Sequence, residues 1–170
     1  RWGVALAAAL LFFGSVLAHE LSHALVGRAH GVPIRAITLF LFGGVAHMDR
    51  RPDSPRAELA TAIIGPVTSF FIGGVALLGA SLLADLELGA QLREASSETV
   101  LASLSPVVTL LLWLGPINIA LGAFNLLPGF PLDGGRVLRA LLWGAMKDVK
   151  RATLWASRAG QAIATLLMVA

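Results

Sequence analysis

The sequence predicts an all-α multi-pass membrane protein, and three observations carry that prediction. Of its 170 residues, 56% are hydrophobic and only 14% charged, and mean hydropathy is +0.79. A soluble domain has about 45–50% apolar and about 25% charged residues, and a globule this small cannot cover its surface with so few polar side chains. The apolar residues also fall in runs of roughly 20–28, long enough to cross a bilayer as helices at about 1.5 Å per residue. Finally, the few charges gather at the ends of those runs and at one interior spot, as expected where a charge in the bilayer centre costs about 2.5–3.5 kcal/mol.

Residues 2–26 form the first run, interrupted only by His19, Glu20 and His23, and Gly27 and Gly31 are expected to end its helix. Residues 32–48 are apolar, short and rich in β-formers, with Gly43-Gly44 at the centre as a turn signal. They predict a small membrane-edge β-hairpin, tolerable in lipid only where protein or water satisfies its backbone. A polar loop, DRRPDSPR, covers residues 49–56. Residues 57–84 make a second span, in which Gly65, Ser69 and Gly73 recur at four-residue spacing as a small-residue packing stripe and Pro66 should bend the helix. An acidic linker over residues 85–98 leads to a third apolar run, residues 99–124, which contains Pro106 and Pro116. That run breaks at residues 125–135 (NLLPGFPLDGG), which hold too many prolines and glycines to stay helical. A short helix resumes at residues 136–146, and residues 152–170 begin a last span. The chain reads as one membrane-embedded unit over residues 1–170. Both ends are expected to be trimmed, because Arg1 is no initiator and the final run is still apolar at Ala170.

Charge sets the expected topology. Residues 28–56 carry five Lys or Arg and residues 136–158 carry six, whereas the 85–98 linker carries Arg93 beside four acids. By the positive-inside rule, residues 28–56 and 136–151 face the cytoplasm and residues 85–98 the outside. The net charge of +3 brings no basic stripe with interleaved aromatics, so no nucleic-acid partner is expected. The lipid bilayer is the expected surrounding, and an Arg- and Ala-rich composition points to a prokaryotic cell membrane. The tryptophans (Trp2, Trp113, Trp143 and Trp155) read as interface anchors or core filler.

One pattern carries chemistry: His19-Glu20-Leu21-Ser22-His23, an HExxH. On a helix, residues four apart share a face, so both imidazoles can reach one metal ion. Glu20 is offset enough to avoid coordination and close enough to take a proton from a water that the metal activates. The chain has no cysteine, so the ligands must be His, Asp or Glu, a set that suits one Zn²⁺ ion. The plainer alternative is three polar residues satisfied by helix packing, at the cost of holding them inside a span. Asp133 is the third-ligand candidate, read as the only other acid in or at the edge of the membrane. His23 lies about 7–8 Å before Arg28 along the helix and His19 about 13 Å before it, while Asp133 lies just before Arg136, so both groups fall near one membrane face. An ordinary turn aspartate before Gly-Gly is the plain alternative. His47 reads as a loop histidine, His30 as interfacial, and Asn118 as either interhelical packing glue or a substrate-side group.

HExxH on a membrane helix, followed by Asn125, Pro128, Pro131, Asp133, Gly134 and Gly135 in the pattern NxxPxxPxDGG, resembles the site-2 proteases, the intramembrane zinc metalloproteases of peptidase family M50. Gly43-Gly44-Val45 before Met48-Asp49, and Gly65-Pro66, add to a likeness that covers residues 14–140. The resemblance implies His19, His23 and Asp133 as zinc ligands, Glu20 as catalytic base, Asn125 near the substrate carbonyl, and a hydrated cleft open to the cytoplasm. It also implies single-span membrane proteins as substrates. Neither a CBS nor a PDZ domain, found in some members, is expected here.

The implied reaction is peptide-bond hydrolysis inside the membrane, with Asn125 hydrogen-bonding the developing oxyanion. A substrate helix must first unwind, and the hairpin around Gly43 and Gly44 offers an edge for strand addition. The alternative is a non-hydrolytic membrane zinc-binding or transport protein that uses the same His, His and Asp but does not need Glu20. An HExxH protease with its site in a soluble domain is disfavoured, since no soluble stretch is evident.

Overall fold

The computed structural model describes residues 2–32, 34–40, 43–48, 52–91 and 104–169. Among the described residues five helices and two strands follow one another: α1 (Trp2–Ala29), β1 (Ile34–Phe40), β2 (Gly43–Met48), α2 (Pro55–Gln91), α3 (Pro106–Asn125), α4 (Asp133–Met146) and α5 (Val149–Val169). Three stretches among the described residues are helical, long and apolar enough to cross a membrane: Trp2–Ala29, Pro55–Leu86 and Pro106–Asn125.

The burial pattern is that of a protein solvated by lipid. Along α1, Leu6, Leu10, Phe13, Leu17, Leu21 and Leu25 are exposed, while Ser15, His19, Glu20 and His23 are buried. In water that arrangement would be inverted; in hydrocarbon, apolar side chains gain nothing by turning inward, and polar ones must find partners inside the bundle. Helix α1 ends in a Schellman motif. Gly31 has φ +75°, Val32 N–H donates to the Gly27 carbonyl at 3.0 Å and Gly31 N–H to the Arg28 carbonyl at 3.0 Å. Gly31 is therefore the terminator, whereas Gly27, expected to share that role, is a buried residue inside the helix.

Helix α2 is the hub, packing against α1, α3 and α4. Its seam with α3 runs through small residues, Gly73 lying against Ile119 and the Gly115 carbonyl, and Gly122 against the Pro66 carbonyl and the Phe70 ring. Pro66 sits inside the helix and is fully buried. Asn118 is buried between α3 and α1, its amide donating to Ser15 Oγ at 3.2 Å and to the Leu114 carbonyl at 2.9 Å. Of its two sequence readings, that contact is the interhelical one.

Strands β1 and β2 pair antiparallel in the register Phe40 with Gly43, Leu39 with Gly44, and Ala36 with His47, and both pack against α1. Gly43 and Gly44 thus belong to β2 and are not the turn. The connecting residues 41–42 lie outside the described residues, as do 49–51 of the polar loop and 92–103, which hold much of the acidic linker and the start of the third apolar run.

Two more expectations shift. Asp133 does not lie in the broken segment but is the first residue of α4, where a carboxylate complements the helix dipole. The broken segment is residues 126–132, folded by short-range bonds such as Leu132 N–H to the Gly129 carbonyl at 3.0 Å. The last helix starts at Val149, earlier than read, and is not among the three candidate spans. Its polar Lys150, Arg151, Arg158 and Gln161 keep its average hydropathy too low, and it packs on α4.

Candidate metal centre

Helices α1 and α4 bring three side chains together. His19 and His23 stand one turn apart on the buried face of α1, with ring centroids 4.9 Å apart and planes at 75°. Asp133, 110 residues beyond His23, points one oxygen at both rings: Oδ2 lies 3.0 Å from His23 Nε2 and 3.2 Å from His19 Nε2. The three ligand atoms all lie within 4.8 Å of one another. Two atoms bound to one tetrahedral ion at about 2.0–2.1 Å stand about 3.3 Å apart, close to the two separations between Asp133 and the histidines.

Hydrogen bonding favours a cation at this point. His23 Nδ1 lies 2.6 Å from the Thr61 carbonyl, which can only accept, so Nδ1 carries the proton. In a neutral ring Nε2 then presents a lone pair to the acceptor-only carboxylate of Asp133. Lone pair facing lone pair is stable only with a positive charge between them, either a proton on Nε2, which then makes the hydrogen bond to Asp133, or a metal ion. His19 Nδ1 lies 2.8 Å from Ser69 Oγ, leaving its Nε2 aimed at the same spot. These residues could hold a metal ion.

The rest of the site divides the Asp133 carboxylate. While Oδ2 faces the histidines, Oδ1 faces Arg136, whose Nη1 is 3.8 Å away. Burial pushes the Asp133 carboxyl up, but the hydrogen bonds from His19 and His23 outweigh it and hold it at about 2, so it is ionised. Burial in turn pulls the Arg136 guanidinium down, an effect opposed by Asp133 and Glu58. Glu20 is buried beside the two histidines and its field reaches both His23 and Arg136.

Two glycines make this approach possible. A Cβ on Gly65 of α2 would stand 2.6 Å from His19 Nε2 and closer still to His23 Nε2. A Cβ on Gly134 would run into the Leu126 and Leu127 carbonyls, so Asp133 can start α4 only because the next residue lets its first turn press on the preceding loop.

Of the other residues singled out from sequence, Asn125 ends α3 and donates to the Leu121 carbonyl at 3.0 Å, a bond within its own helix. Gly43, Gly44 and His47 lie on β2, and His30 Nδ1 donates to the Val26 carbonyl at 2.9 Å at the exposed end of α1. Sequence reasoning missed three groups. Thr61 and Ser69 were hidden because a backbone carbonyl has no sequence signature and Ser69 reads as packing. Glu58 overturns the reading of Asp133 as the only other membrane-edge acid. It lies in the first turn of α2 at 1% exposure and is ion-paired to Arg139 of α4, whose Nε is 2.8 Å from Glu58 Oε1. It falls at the very start of the span read over residues 57–84, next to the polar loop, where a single acid gives no signal of a buried partner.

The family model of Peptidase family M50 matches residues 7–167. The chain is 35% identical to a solved site-2 protease from Methanocaldococcus jannaschii, with a TM-score of 0.65, over 94% of this chain and 64% of that one. Among curated proteins it is 37% identical over 163 residues to the zinc metalloprotease MJ0392 of the same organism, covering 94% of this chain and 41% of the relative. It is also 38% identical over 167 residues to Rip3 of Mycobacterium tuberculosis, covering 98% of this chain and 39% of Rip3. This chain belongs to peptidase family M50, the family of the site-2 proteases, and is an integral membrane protein. It spans about two fifths of the length of the curated relatives it matches.

Proposed function

We propose that the protein is an intramembrane zinc metalloprotease that hydrolyses peptide bonds within or near the transmembrane segments of membrane-tethered proteins. The observation that carries this reading is the convergence of His19, His23 and Asp133 from two distant stretches of chain, with Glu20 buried next to them. His19 Nε2, His23 Nε2 and Asp133 Oδ2 would hold the ion. Zinc bound there supplies Lewis-acid polarisation of the scissile carbonyl and lowers the pKa of water.

The protein's own residues do the rest. The Glu20 carboxylate accepts a proton from the attacking water and returns it to the departing amine. Arg136 holds Asp133 Oδ1, so the carboxylate keeps Oδ2 on the histidines. Asn125, at the end of the helix leading to the Asp133 loop, is assigned to the substrate backbone or oxyanion. A transmembrane substrate has its peptide groups paired internally and must unwind before attack. Strands β1 and β2, packed against α1, offer a backbone edge on which the opened stretch can pair. We place residues 28–56 and 136–151 on the cytoplasmic side of a prokaryotic cell membrane and residues 85–98 outside, on the distribution of Lys and Arg. Single-span membrane proteins are the substrates this reading assigns to it.

The test uses two variants in proteoliposomes with a single-span reporter. Glu20→Gln should keep zinc and lower turnover by about 10²–10⁴-fold, as expected for loss of a general base. Asp133→Ala should lose both zinc and turnover. A Glu20→Gln protein that retains full turnover would remove Glu20 as the general base, whereas a wild-type chain that binds zinc and never cleaves would leave a binding or transport protein in place of a protease.

A further inference from the structure

We propose that Ser69 is a positioning residue: its hydroxyl fixes His19 in the tautomer that metal ligation requires. One face of α2, at positions 61, 65 and 69, forms the common outer support of both ligating histidines. This inference rests on the reading of His19, His23 and Asp133 as metal ligands.

The geometry is a match of two helical periods. Thr61, Gly65 and Ser69 are four residues apart, so they lie in one row along α2, as His19 and His23 do along α1. The helices pair so that Ser69 meets His19, Thr61 meets His23, and Gly65 falls between, against both rings. At one end of the row stands the Ser69 hydroxyl, which can accept or donate, and at the other the Thr61 carbonyl, which can only accept; in the middle there is no side chain at all. The two ends of the row hold the Nδ1 side of each imidazole, while Gly65 between them leaves room beside each Nε2, which faces Asp133.

Ser69 does more than fill space. It is fully buried, with Oγ 2.8 Å from His19 Nδ1. A neutral imidazole carries one proton, and that proton can sit on either nitrogen. With Nδ1–H donated to Ser69 Oγ, the Nε2 lone pair is free for a metal. With Nε2 protonated, one ligand of three is lost. His23 has the same arrangement from the Thr61 carbonyl, which no side-chain substitution removes. Ser69 is therefore the point at which this support can be tested. A merely small packing residue at 69 would be replaceable by alanine without effect on metal affinity, whereas removal of an outer-shell partner weakens metal binding by about 10–100-fold.

The experiment measures zinc affinity by competition with a chromophoric chelator, together with ¹⁵N NMR of labelled histidines in the zinc-loaded wild-type chain. With four histidines in the sequence, single-residue variants assign the signals. The expected result is a wild-type His19 protonated at Nδ1 and metal-bound through Nε2. Ser69→Ala should bind zinc about 10–100-fold more weakly, with the thermal midpoint of its metal-free form unchanged. Ser69→Thr, which keeps the hydroxyl, should recover most of that loss. A folded Ser69→Ala protein with wild-type zinc affinity overturns the proposal. So does a wild-type His19 ligating through Nδ1, a result that does not depend on any variant folding. A wild-type chain that binds no zinc, or binds it equally well as His19→Ala, instead removes the metal site itself and this inference with it.

Discussion

Replacing Gly65 by alanine sets the stability of helix α2 against the geometry of the metal centre. Within a helix, glycine is about 0.5–1 kcal/mol less favourable than alanine, so the substitution by itself should strengthen α2. The added methyl, however, would stand 2.6 Å from His19 Nε2, where ordinary contact needs about 3.5–4 Å. Something must move by about 1 Å. The atoms in the way are the ligating nitrogens, and metal–ligand distances tolerate only about ±0.2 Å. The histidine side chains can swing aside, so the fold survives while the centre does not. Zinc affinity should fall by at least about 100-fold, on the order of 3 kcal/mol, while the melting midpoint of the metal-free protein holds or rises by a few degrees. The assay is chelator competition with elemental analysis after dialysis, alongside thermal melting in detergent. A Gly65→Ala chain that still binds one zinc with affinity within about threefold of wild type would refute the reasoning, because the imidazoles would then have to point elsewhere.

Other substitutions probe the elements around that centre. Glu58→Ala strands the buried Arg139 guanidinium and should cost about 3–5 kcal/mol of stability, read as a large fall in melting midpoint. Changing both partners to apolar residues of similar volume should recover most of the loss. Gly134→Ala drives a methyl into two backbone carbonyls that cannot rotate away, so it should displace Asp133 and lower both stability, by about 1–3 kcal/mol, and zinc content. Proline at Thr38 or Val45 removes a hairpin N–H; cleavage of a transmembrane reporter should drop while zinc content stays at wild-type level. Unchanged cleavage in both proline variants would exclude strand addition as the way substrate is held.

By itself the sequence determined the solvent, three apolar helices long enough to span it and a candidate ligand set, while the last span read in residues 152–170 is not among the candidate spans. Those are local or compositional properties. Hydrocarbon demands long apolar runs, the four-residue spacing of His19 and His23 is a fact of one helix, and an acid before Gly-Gly at the end of an apolar run stands out against so few charges. What it misjudged depends on neighbours distant in the chain. Gly43 and Gly44 read as a turn because glycine permits one, yet strand register assigned them to β2. Glu58, at the start of the second apolar run, was passed over until the guanidinium of Arg139, from another helix, gave it a buried partner. Ser69 and Gly65 read as a packing stripe, because a small residue in a membrane helix looks the same whether it admits a backbone or an imidazole. Only the packing of α2 between α1 and α4 decided that difference, since whether a hydroxyl or a missing Cβ serves packing or chemistry is a property of the atom it faces.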